Sequence, residues 1–290
     1  MRRKNSQAKS RAKRLVSSRL SVRFVCLIAA ACFSLRLAQS SSERRPVFYF
    51  IGDSITEYGS NPAKRGFVTT VQHHHVRAVD CVNRGLSGYN TKWVLEHAMP
   101  VYVTELQAAY SASLVTVFLG ANDAVLEHGP DAAQFVPLED YRANLHEIVQ
   151  RVRPLLAPHG QVLLITPPCV IDSMRQGDRS DASAAKYAEA CVQVAAAENV
   201  HVLDLHTYFN TMYPAESARK AFFVDGLHLS AQGNEEVGKL LGVAINGMFG
   251  KDELARFAKW QLPDWKDLVP RVPGAESQLL GGAATGVARG

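Results

Sequence analysis

Residues 47–56 read VFYFIGDSIT, an apolar run of β-branched and aromatic residues that stops at a short polar turn. A continuous run of this kind predicts a strand buried on both faces, from Val47 to Ile51. Further short runs downstream predict four more strands, at 80–83, 114–119, 162–166 and 200–203. Helical patterns separate these strands, and such alternation predicts a five-stranded parallel sheet covered by helices on both faces. The fold class predicted is therefore α/β.

Three helices stand out between and after these strands. The clearest follows Pro137, where apolar residues recur at steps of three and four and form one face: Tyr141, Leu145, Ile148, Val149, Val152, Leu155 and Leu156. The stretch Ser183–Glu198 is rich in alanine, the residue with the highest helix propensity. Ala231–Phe249 is a third helix, and Ser230 is placed to cap its first turn.

Charge is distributed very unevenly along the 290 residues. The formal net charge is +5, yet the first 42 residues hold ten basic residues and no acidic one. The remainder therefore has 22 basic and 27 acidic residues, a net charge of −5. A mildly acidic body argues against nucleic-acid binding, which needs a cationic surface to replace counterions. The predicted organisation is a basic head at 1–45, one domain at 46–270 and a flexible Gly/Ala-rich tail at 271–290.

The head has the composition of a targeting segment. Its apolar run Phe24–Leu35 is twelve residues long, whereas a membrane-spanning helix needs about 20. No stable membrane span is therefore expected. A basic region before this run and the small-x-small sequence Ala38-Gln39-Ser40 after it predict a secretory signal peptide. The Arg- and Ser-rich, acid-free composition also suits an organellar transit peptide, and an uncleaved extension is the third alternative.

Polar residues follow the predicted strands at the point where each strand ends. Ser54 comes after the first strand, Gly85 after the second and Asn122 after the third, and the pair Asp225 and His228 lies in a late loop. Ligand crevices in open parallel sheets lie at the carboxyl ends of the strands. We therefore expect these residues to gather on one rim of the sheet.

These residue types match the needs of nucleophilic catalysis. A serine hydroxyl such as that of Ser54 is a weak nucleophile, and His228 can act as the base that takes its proton. Asp225, three residues earlier, can orient the ring and stabilise the imidazolium. The oxyanion of a tetrahedral intermediate needs donors, and the expected ones are the N–H groups of Ser54 and Gly85 and the Asn122 side-chain amide.

In order and content, these blocks resemble the SGNH, or GDSL-type, esterase superfamily, and within it most closely the isoamyl acetate-hydrolysing esterases. The matching stretches are Gly52–Ser54, Asn83–Thr91 (NRGLSGYNT), Phe118–Ala124 (FLGANDA), Pro137–Glu139, Ile165–Pro168, Leu203–Leu205, Asp225–Gly233 (DGLHLSAQG) and Pro263–Asp267. The resemblance implies a three-layer, flavodoxin-like fold and a triad of Ser54, Asp225 and His228, with Gly85 and Asn122 as oxyanion donors. It implies a small acetate-type ester as substrate. O-acetylated sugars or lysophospholipids are alternative substrates, and a binding module without turnover is an alternative of another class.

One stretch departs from the family, which often has Gly-Gly-Trp where this chain has Lys64-Arg65-Gly66-Phe67. We expect this stretch to border the substrate mouth and to affect which alcohol is accepted. Asp53 and Asp123 are expected to brace loops by binding backbone N–H groups. His206, which follows the fifth strand, is expected to form part of the pocket wall rather than to act as a second base.

No cofactor or metal is expected. Adjacent side chains on a helix point about 100° apart, so His73, His74 and His75 cannot easily share one ion. The chain contains neither of the Gly-rich phosphate-binding patterns. Cys81 is expected in the core, whereas Cys169 and Cys191 could pair in an oxidising compartment. The sequence does not define the oligomeric state.

Overall fold

A five-stranded, all-parallel sheet forms the centre of the protein in the computed structural model, which describes residues 44–269. The strands are β1 (Val47–Gly52), β2 (Asp80–Gly85), β3 (Ala112–Phe118), β4 (Gln161–Ile165) and β5 (His201–Leu203). Their order across the sheet is β2-β1-β3-β4-β5. The prediction of an α/β fold with a five-stranded parallel sheet is confirmed. Because the order reverses beside β1, the loops after β1 and β3 diverge there and leave a crevice.

Helices flank the sheet on both sides. They are α1 (Ser54–Tyr58), α2 (Phe67–His74), α3 (Thr91–Trp93), α4 (Met99–Ala108), α5 (Leu138–Val152), α6 (Asp181–Glu198), α7 (Leu205–Met212), α8 (Glu216–Arg219), α9 (Ala231–Met248), α10 (Lys251–Ala258) and α11 (Trp265–Leu268). A π-helical turn, Val94–Ala98, joins α3 to α4. The three helices expected from the sequence correspond to α5, α6 and α9, and the Ser230 hydroxyl accepts the Gly233 N–H at the start of α9 as predicted.

The alternation of side chains along each strand creates two apolar clusters, one on each face of the sheet. Phe48 and Phe50 of β1 point to the face covered by α2 and α9. Tyr49 and Ile51 point to the face covered by α4, α5 and α6. All four side chains are fully buried. The molecule therefore has three layers, and its rigid centre fixes the strand ends from which the functional loops emerge.

The three cysteines within residues 44–269 form no disulfide with one another. Cys169 belongs to one apolar cluster and Cys191 to the other, so the sheet lies between them. Both are buried free thiols, and Cys81 is a partly buried free thiol packed at the edge of the first cluster. The conditional pairing of Cys169 with Cys191 is therefore wrong in this fold.

Between residues 44 and 269, no helix is both long and apolar enough to span a bilayer. All of the basic head except its last two residues, and the whole of the tail, lie outside the described residues.

Candidate active site

A cavity of about 290 Å³ opens at the carboxyl ends of β1 and β3. Its lining residues are mostly polar: Ser54, Tyr58, Ser87, Gly88, Asn122, Asp131, Gln134, Arg175, Arg179, Asp225, Leu227 and His228. Four of the five predicted site residues are among them. The position at the end of the parallel strands is the one expected for a ligand crevice.

Ser54 is placed by the turn that joins β1 to α1. It is the first residue of the five-residue helix α1, and Asp53 caps that helix by accepting the Ile55 N–H at 2.9 Å. The side chain of Asp53 is buried, so the cap is rigid. The Ser54 hydroxyl consequently lies just beyond the carboxyl end of β1 in a fixed orientation.

A chain of short hydrogen bonds joins three of the predicted residues. Ser54 Oγ lies 2.8 Å from His228 Nε2, and His228 Nδ1 lies 2.7 Å from Asp225 Oδ2. Because a carboxylate only accepts hydrogen bonds, Nδ1 carries the proton. In the neutral ring Nε2 is then the acceptor, and it receives the Ser54 hydroxyl proton. This arrangement is able to draw a proton from the serine oxygen.

The turn that contains Asp225 fixes the orientation of its carboxylate. Its Oδ1 accepts the backbone N–H groups of Leu227 at 3.0 Å and His228 at 2.8 Å. An isolated antiparallel bridge between Phe223 and Leu229 closes the base of this turn. Burial opposes ionisation of the carboxyl, but the hydrogen bonds from the His228 ring and from the two N–H groups outweigh it. The pKa of Asp225 therefore lies well below its ordinary value, and the group is a carboxylate at neutral pH.

Asn122 follows β3 and is buried with its amide orientation fixed from both ends. Its Nδ2 donates to the Tyr89 carbonyl at 2.8 Å, and its Oδ1 accepts from Arg179 Nη2 at 2.9 Å. A guanidinium only donates and a carbonyl only accepts, so this orientation of the amide is the one the partners allow. The second N–H of Nδ2 remains available to a ligand in the cavity.

Gly85 is the predicted site residue that does not reach the cavity. It is the last residue of β2, and its N–H donates to Asn83 Oδ1 at 2.8 Å. A Cβ at this position would lie 2.1 Å from the Glu57 backbone nitrogen. Gly85 therefore allows β2 to pack closely against α1. The prediction that its N–H serves as an oxyanion donor is wrong, because β2 runs two residues further than the sequence indicated.

Gly88, three residues further along, is the glycine of this segment that reaches the cavity. It lines the cavity, and its φ of +81° lies in the left-handed region that favours glycine. Across residues 44–269 its backbone N–H has no hydrogen-bond acceptor. The sequence signal that could have located Gly88 is the pair Ser87-Gly88, which ends two residues before Asn90, the cap of α3. A turn beyond a strand end aims its N–H groups at the crevice, whereas a residue inside the strand does not.

Asp53 and Asp123 both bind backbone N–H groups, as their predicted bracing role requires. Asp123 Oδ1 accepts the Thr91 N–H at 3.0 Å and the Thr91 hydroxyl at 2.5 Å. Burial raises the pKa of Asp53 to about 6 and that of Asp123 to about 7. These two buried carboxyls therefore brace the loops that carry Ser54 and Asn122 on the side away from solvent.

The remaining histidines stand apart from the cavity. His206 Nε2 lies 3.1 Å from Asp181 Oδ1, and the residue is absent from the cavity lining, so its predicted place in the pocket wall is wrong. His73 and His74 are exposed at the end of α2. The Nδ1 atom of His75 lies 3.1 Å from the Phe257 carbonyl oxygen. In the part of the chain that the structure describes, no three His, Cys, Asp or Glu side chains converge as metal ligands.

The divergent stretch lies beside the cavity. Lys64 places its ammonium 5.0 Å from the ring centre of Tyr58, which lines the cavity, and Tyr58 in turn lies 5.3 Å from the His228 ring. Phe67 is buried and packs against Phe118. Lys64 and Tyr58 therefore link the divergent stretch to the serine–histidine pair.

The fold and the serine–histidine–aspartate arrangement define a class, the hydrolases that attack esters with a serine. Residues 50–236 match the model of the GDSL-like lipase/acylhydrolase family. The chain belongs to this family, and it is a carboxylic ester hydrolase.

Individual relatives agree with this assignment. A protein from Mus musculus named isoamyl acetate-hydrolyzing esterase 1 homolog is 34% identical over 85% of this chain and 96% of its own length. A GDSL esterase/lipase from Arabidopsis thaliana is 36% identical over 68% of this chain and 86% of its own. The crystal structure of a lipase/acylhydrolase from Enterococcus faecalis superimposes with a TM-score of 0.56 and 27% identity, covering 70% of this chain and 96% of that one.

Proposed function

We propose that the enzyme hydrolyses small acetate-type esters through an acyl-enzyme formed on Ser54. The observation that carries this proposal is the continuous hydrogen-bond chain from Ser54 Oγ through the His228 ring to Asp225. It supplies a nucleophile, a base within reach of the nucleophile's proton and a carboxylate that fixes the base.

The reaction proceeds in two halves. In the first, His228 Nε2 takes the Ser54 proton as Oγ attacks the ester carbonyl, and Asp225 stabilises the imidazolium. The tetrahedral intermediate collapses, the C–O bond to the alcohol breaks, and the imidazolium gives its proton to the departing oxygen. In the second half, His228 deprotonates a water molecule that attacks the acyl-enzyme. Collapse then releases the acid and returns the proton to Ser54.

The oxyanion of each intermediate is stabilised by three donors. They are the backbone N–H of Ser54 at the start of α1, the backbone N–H of Gly88 and the free N–H of the Asn122 amide. Gly88 replaces Gly85 in this set because it lines the cavity with an unused N–H. Donors that are already in position stabilise the developing charge without reorganisation, and the loss of one typically costs about 10²–10³ in rate.

The cavity favours a short acyl group. It measures about 290 Å³, and Tyr58 and Leu227 are the only large apolar side chains in its lining. A fatty acyl chain would leave apolar surface against carboxylates and guanidinium groups, which is unfavourable. The relative from Mus musculus carries the name of an isoamyl acetate-hydrolyzing esterase, in keeping with an acetyl-sized acyl group.

The same polar lining favours a second candidate, an O-acetyl group on a sugar. Hydroxyl groups of a sugar could hydrogen-bond to Asp131, Gln134 and Arg175, whereas an isoamyl chain could not. The two candidates share the acyl group and the mechanism and differ only in the alcohol.

Substitution of Ser54 tests the chemistry. Ser54→Ala is expected to abolish both labelling by a fluorophosphonate probe and release of p-nitrophenol from its acetate ester. Ser111→Ala, just before β3 at the amino end of the strands and so at the opposite end of the sheet from the cavity, is the matched control and is expected to keep both. Full labelling and turnover in Ser54→Ala would end the proposal.

A substrate panel tests the alcohol. The ratio kcat/KM is to be measured for isoamyl acetate, acetylated xylan and a lysophospholipid. A preference for isoamyl acetate supports the first candidate, and a preference for acetylated xylan supports the second. A preference for the lysophospholipid would contradict the short acyl group in both.

A further inference from the structure

A closed ring of hydrogen bonds lies directly behind the cavity. Arg179 Nη2 donates to Asn122 Oδ1 at 2.9 Å, and Asn122 Nδ2 donates to the Tyr89 carbonyl at 2.8 Å. On the other side, the same Nη2 atom donates to Gln134 Oε1 at 2.9 Å, and Gln134 Nε2 donates to the Gly88 carbonyl at 3.0 Å. The peptide link between Gly88 and Tyr89 closes the ring.

The ring joins four separate segments of the chain. Gly88 and Tyr89 belong to the loop after β2, and Asn122 belongs to the loop after β3. Gln134 ends a single 3₁₀ turn, and Arg179 immediately precedes Ser180, the cap of α6. Two of the three proposed oxyanion donors, on different loops, are therefore held by one guanidinium.

Arg179 is itself fully engaged. Its side chain is buried, and its Nε donates to the Ala121 carbonyl at 3.1 Å. Its Nη1 pairs with Asp178 and lies 3.3 Å from Asp131 Oδ2. Asp178 also binds Arg175, so the buried charges compensate one another. The guanidinium plane consequently has one orientation.

We propose that Arg179 is a positioning residue that sets the geometry of the oxyanion donors Asn122 and Gly88 as one unit. This inference rests on the proposed esterase function of the site. Nη2 donates to both Asn122 and Gln134, and the bonds of Nε and Nη1 in the same rigid plane fix the directions of its two N–H groups. The freely rotating ammonium of a lysine cannot reproduce this. The positive guanidinium that donates to Asn122 Oδ1 also polarises the amide. In a poorly solvated site this makes the free N–H of Asn122 Nδ2 a stronger hydrogen-bond donor.

Arg179→Lys is the test variant, because it keeps the charge and loses the fork. Its kcat for p-nitrophenyl acetate is expected to fall about 10–100-fold with KM changed less than about threefold, since the lost interaction acts only in the transition state. Arg219→Lys is the matched control. Arg219 is another buried arginine, and it binds the carbonyls of Tyr213 and Pro214 instead of the ring. It is expected to keep kcat within about twofold.

A double-mutant cycle separates positioning from general stability. Asn122→Ala is expected to lower kcat about 10²–10³-fold on its own. If Arg179 acts through Asn122, the double variant will lose little more than Asn122→Ala alone. Gln134→Leu, which breaks the other side of the ring without removing a charge, is expected to give a smaller fall in kcat and an unchanged KM. Thermal unfolding of every variant shows which proteins are folded at the assay temperature.

Additive losses in the cycle, or wild-type kcat in a folded Arg179→Lys, would overturn the positioning role. If Arg179→Lys does not fold, Gln134→Leu alone decides, and wild-type kcat in that variant overturns the role. Failure of the proposed function itself would look different, because Ser54→Ala would then keep full turnover whatever Arg179 does.

Discussion

Asp225 and His228 share one tight turn, and the carboxylate binds the histidine through both its ring and its backbone N–H. Asp225→Asn is expected to lower kcat about 10³–10⁴-fold, because an amide nitrogen facing Nδ1 would favour the wrong ring tautomer. Steady-state hydrolysis of p-nitrophenyl acetate measures the effect. Asp252→Asn, on the exposed first turn of α10, is the control and should match the wild type. Equal rates in both variants would contradict the orienting role.

Asp123 supplies a pH-dependent contribution to stability. Its pKa rises from 3.8 in the unfolded chain to about 7 in the folded protein because it is buried. Between pH 4 and pH 7 the folded state therefore holds more protons than the unfolded state, and stability falls as the pH rises, by up to about 1.4 kcal/mol per unit from this group. Asp123→Asn keeps an acceptor for Thr91 but cannot ionise.

Asp123→Asn gains stability relative to the wild type as the pH rises from 4 to 7, and the difference is greatest above pH 7. Urea unfolding at several pH values measures it. If the free energies of unfolding of the two proteins change in parallel with pH across this range, Asp123 does not have a raised pKa in the folded protein.

At the residue scale, the sequence was sufficient to bring Ser54, Asn122, Asp225 and His228 to one cavity, because each was chosen for the chemistry of its own side chain. It failed at Gly85, because a glycine contributes only backbone and its role depends on where the strand ends. A one- or two-residue error in a strand boundary moves a backbone N–H from the crevice into the sheet. The ring of hydrogen bonds around Arg179 was also not predicted, since it depends on contacts among four segments that are distant in the sequence.

Gly85, at the end of β2, and Gly88, in the loop that follows, are glycines for different reasons. Gly85→Ala would drive a Cβ to within 2.1 Å of the Glu57 backbone nitrogen and displace α1, the helix that carries Ser54. Gly88→Ala has open space apart from Gln134 Nε2 at 3.3 Å but must keep its φ of +81°. That conformation costs an alanine about 1–2 kcal/mol.

We therefore expect Gly85→Ala to lower the melting temperature far more than Gly88→Ala. Gly88→Ala should remain folded and lose kcat, because a change in φ rotates the N–H that faces the cavity. Calorimetry and turnover measured on both variants test this together. The reverse ranking, with an active Gly88→Ala and an inactive but stable Gly85→Ala, would restore Gly85 as the donor.

Element boundaries were predicted best where local chemistry marks them. Ser230 caps α9 through the Gly233 N–H, and the apolar stripe of α5 faces the sheet as its spacing required. Short helices such as α1 and α3 were not specified by the sequence pattern, because three to five residues are too few to show a period. They form because tertiary contacts hold them, with side-chain caps from Asp53 and Asn90.

For the whole molecule, the two apolar clusters and the site all lie within residues 44–269. A chain cut to these residues is therefore expected to fold and to hydrolyse p-nitrophenyl acetate with a kcat/KM within about twofold of the full-length protein, because it keeps both apolar clusters and every residue that lines the cavity. Circular dichroism and kinetics test this. An unfolded or inactive product would show that the head or the tail contributes to the domain.

The overall architecture was predictable because buried parallel strands have a distinctive composition. The run 47–51 and the later apolar runs could only be covered by helices on both faces. Other features arise only once all layers are packed. Cys169 and Cys191 look equivalent in the sequence, yet they lie on opposite faces, because the loop after β4 buries Cys169 in one cluster and α6 buries Cys191 in the other.

Ser54 and His228 stand 174 positions apart in the chain yet meet at 2.8 Å. A refolding polypeptide can regain helical ellipticity from local segments long before these two ends of the site are joined. Turnover therefore requires a long-range contact that local helices do not need, and a time course that follows both signals should show ellipticity recovering ahead of ester cleavage.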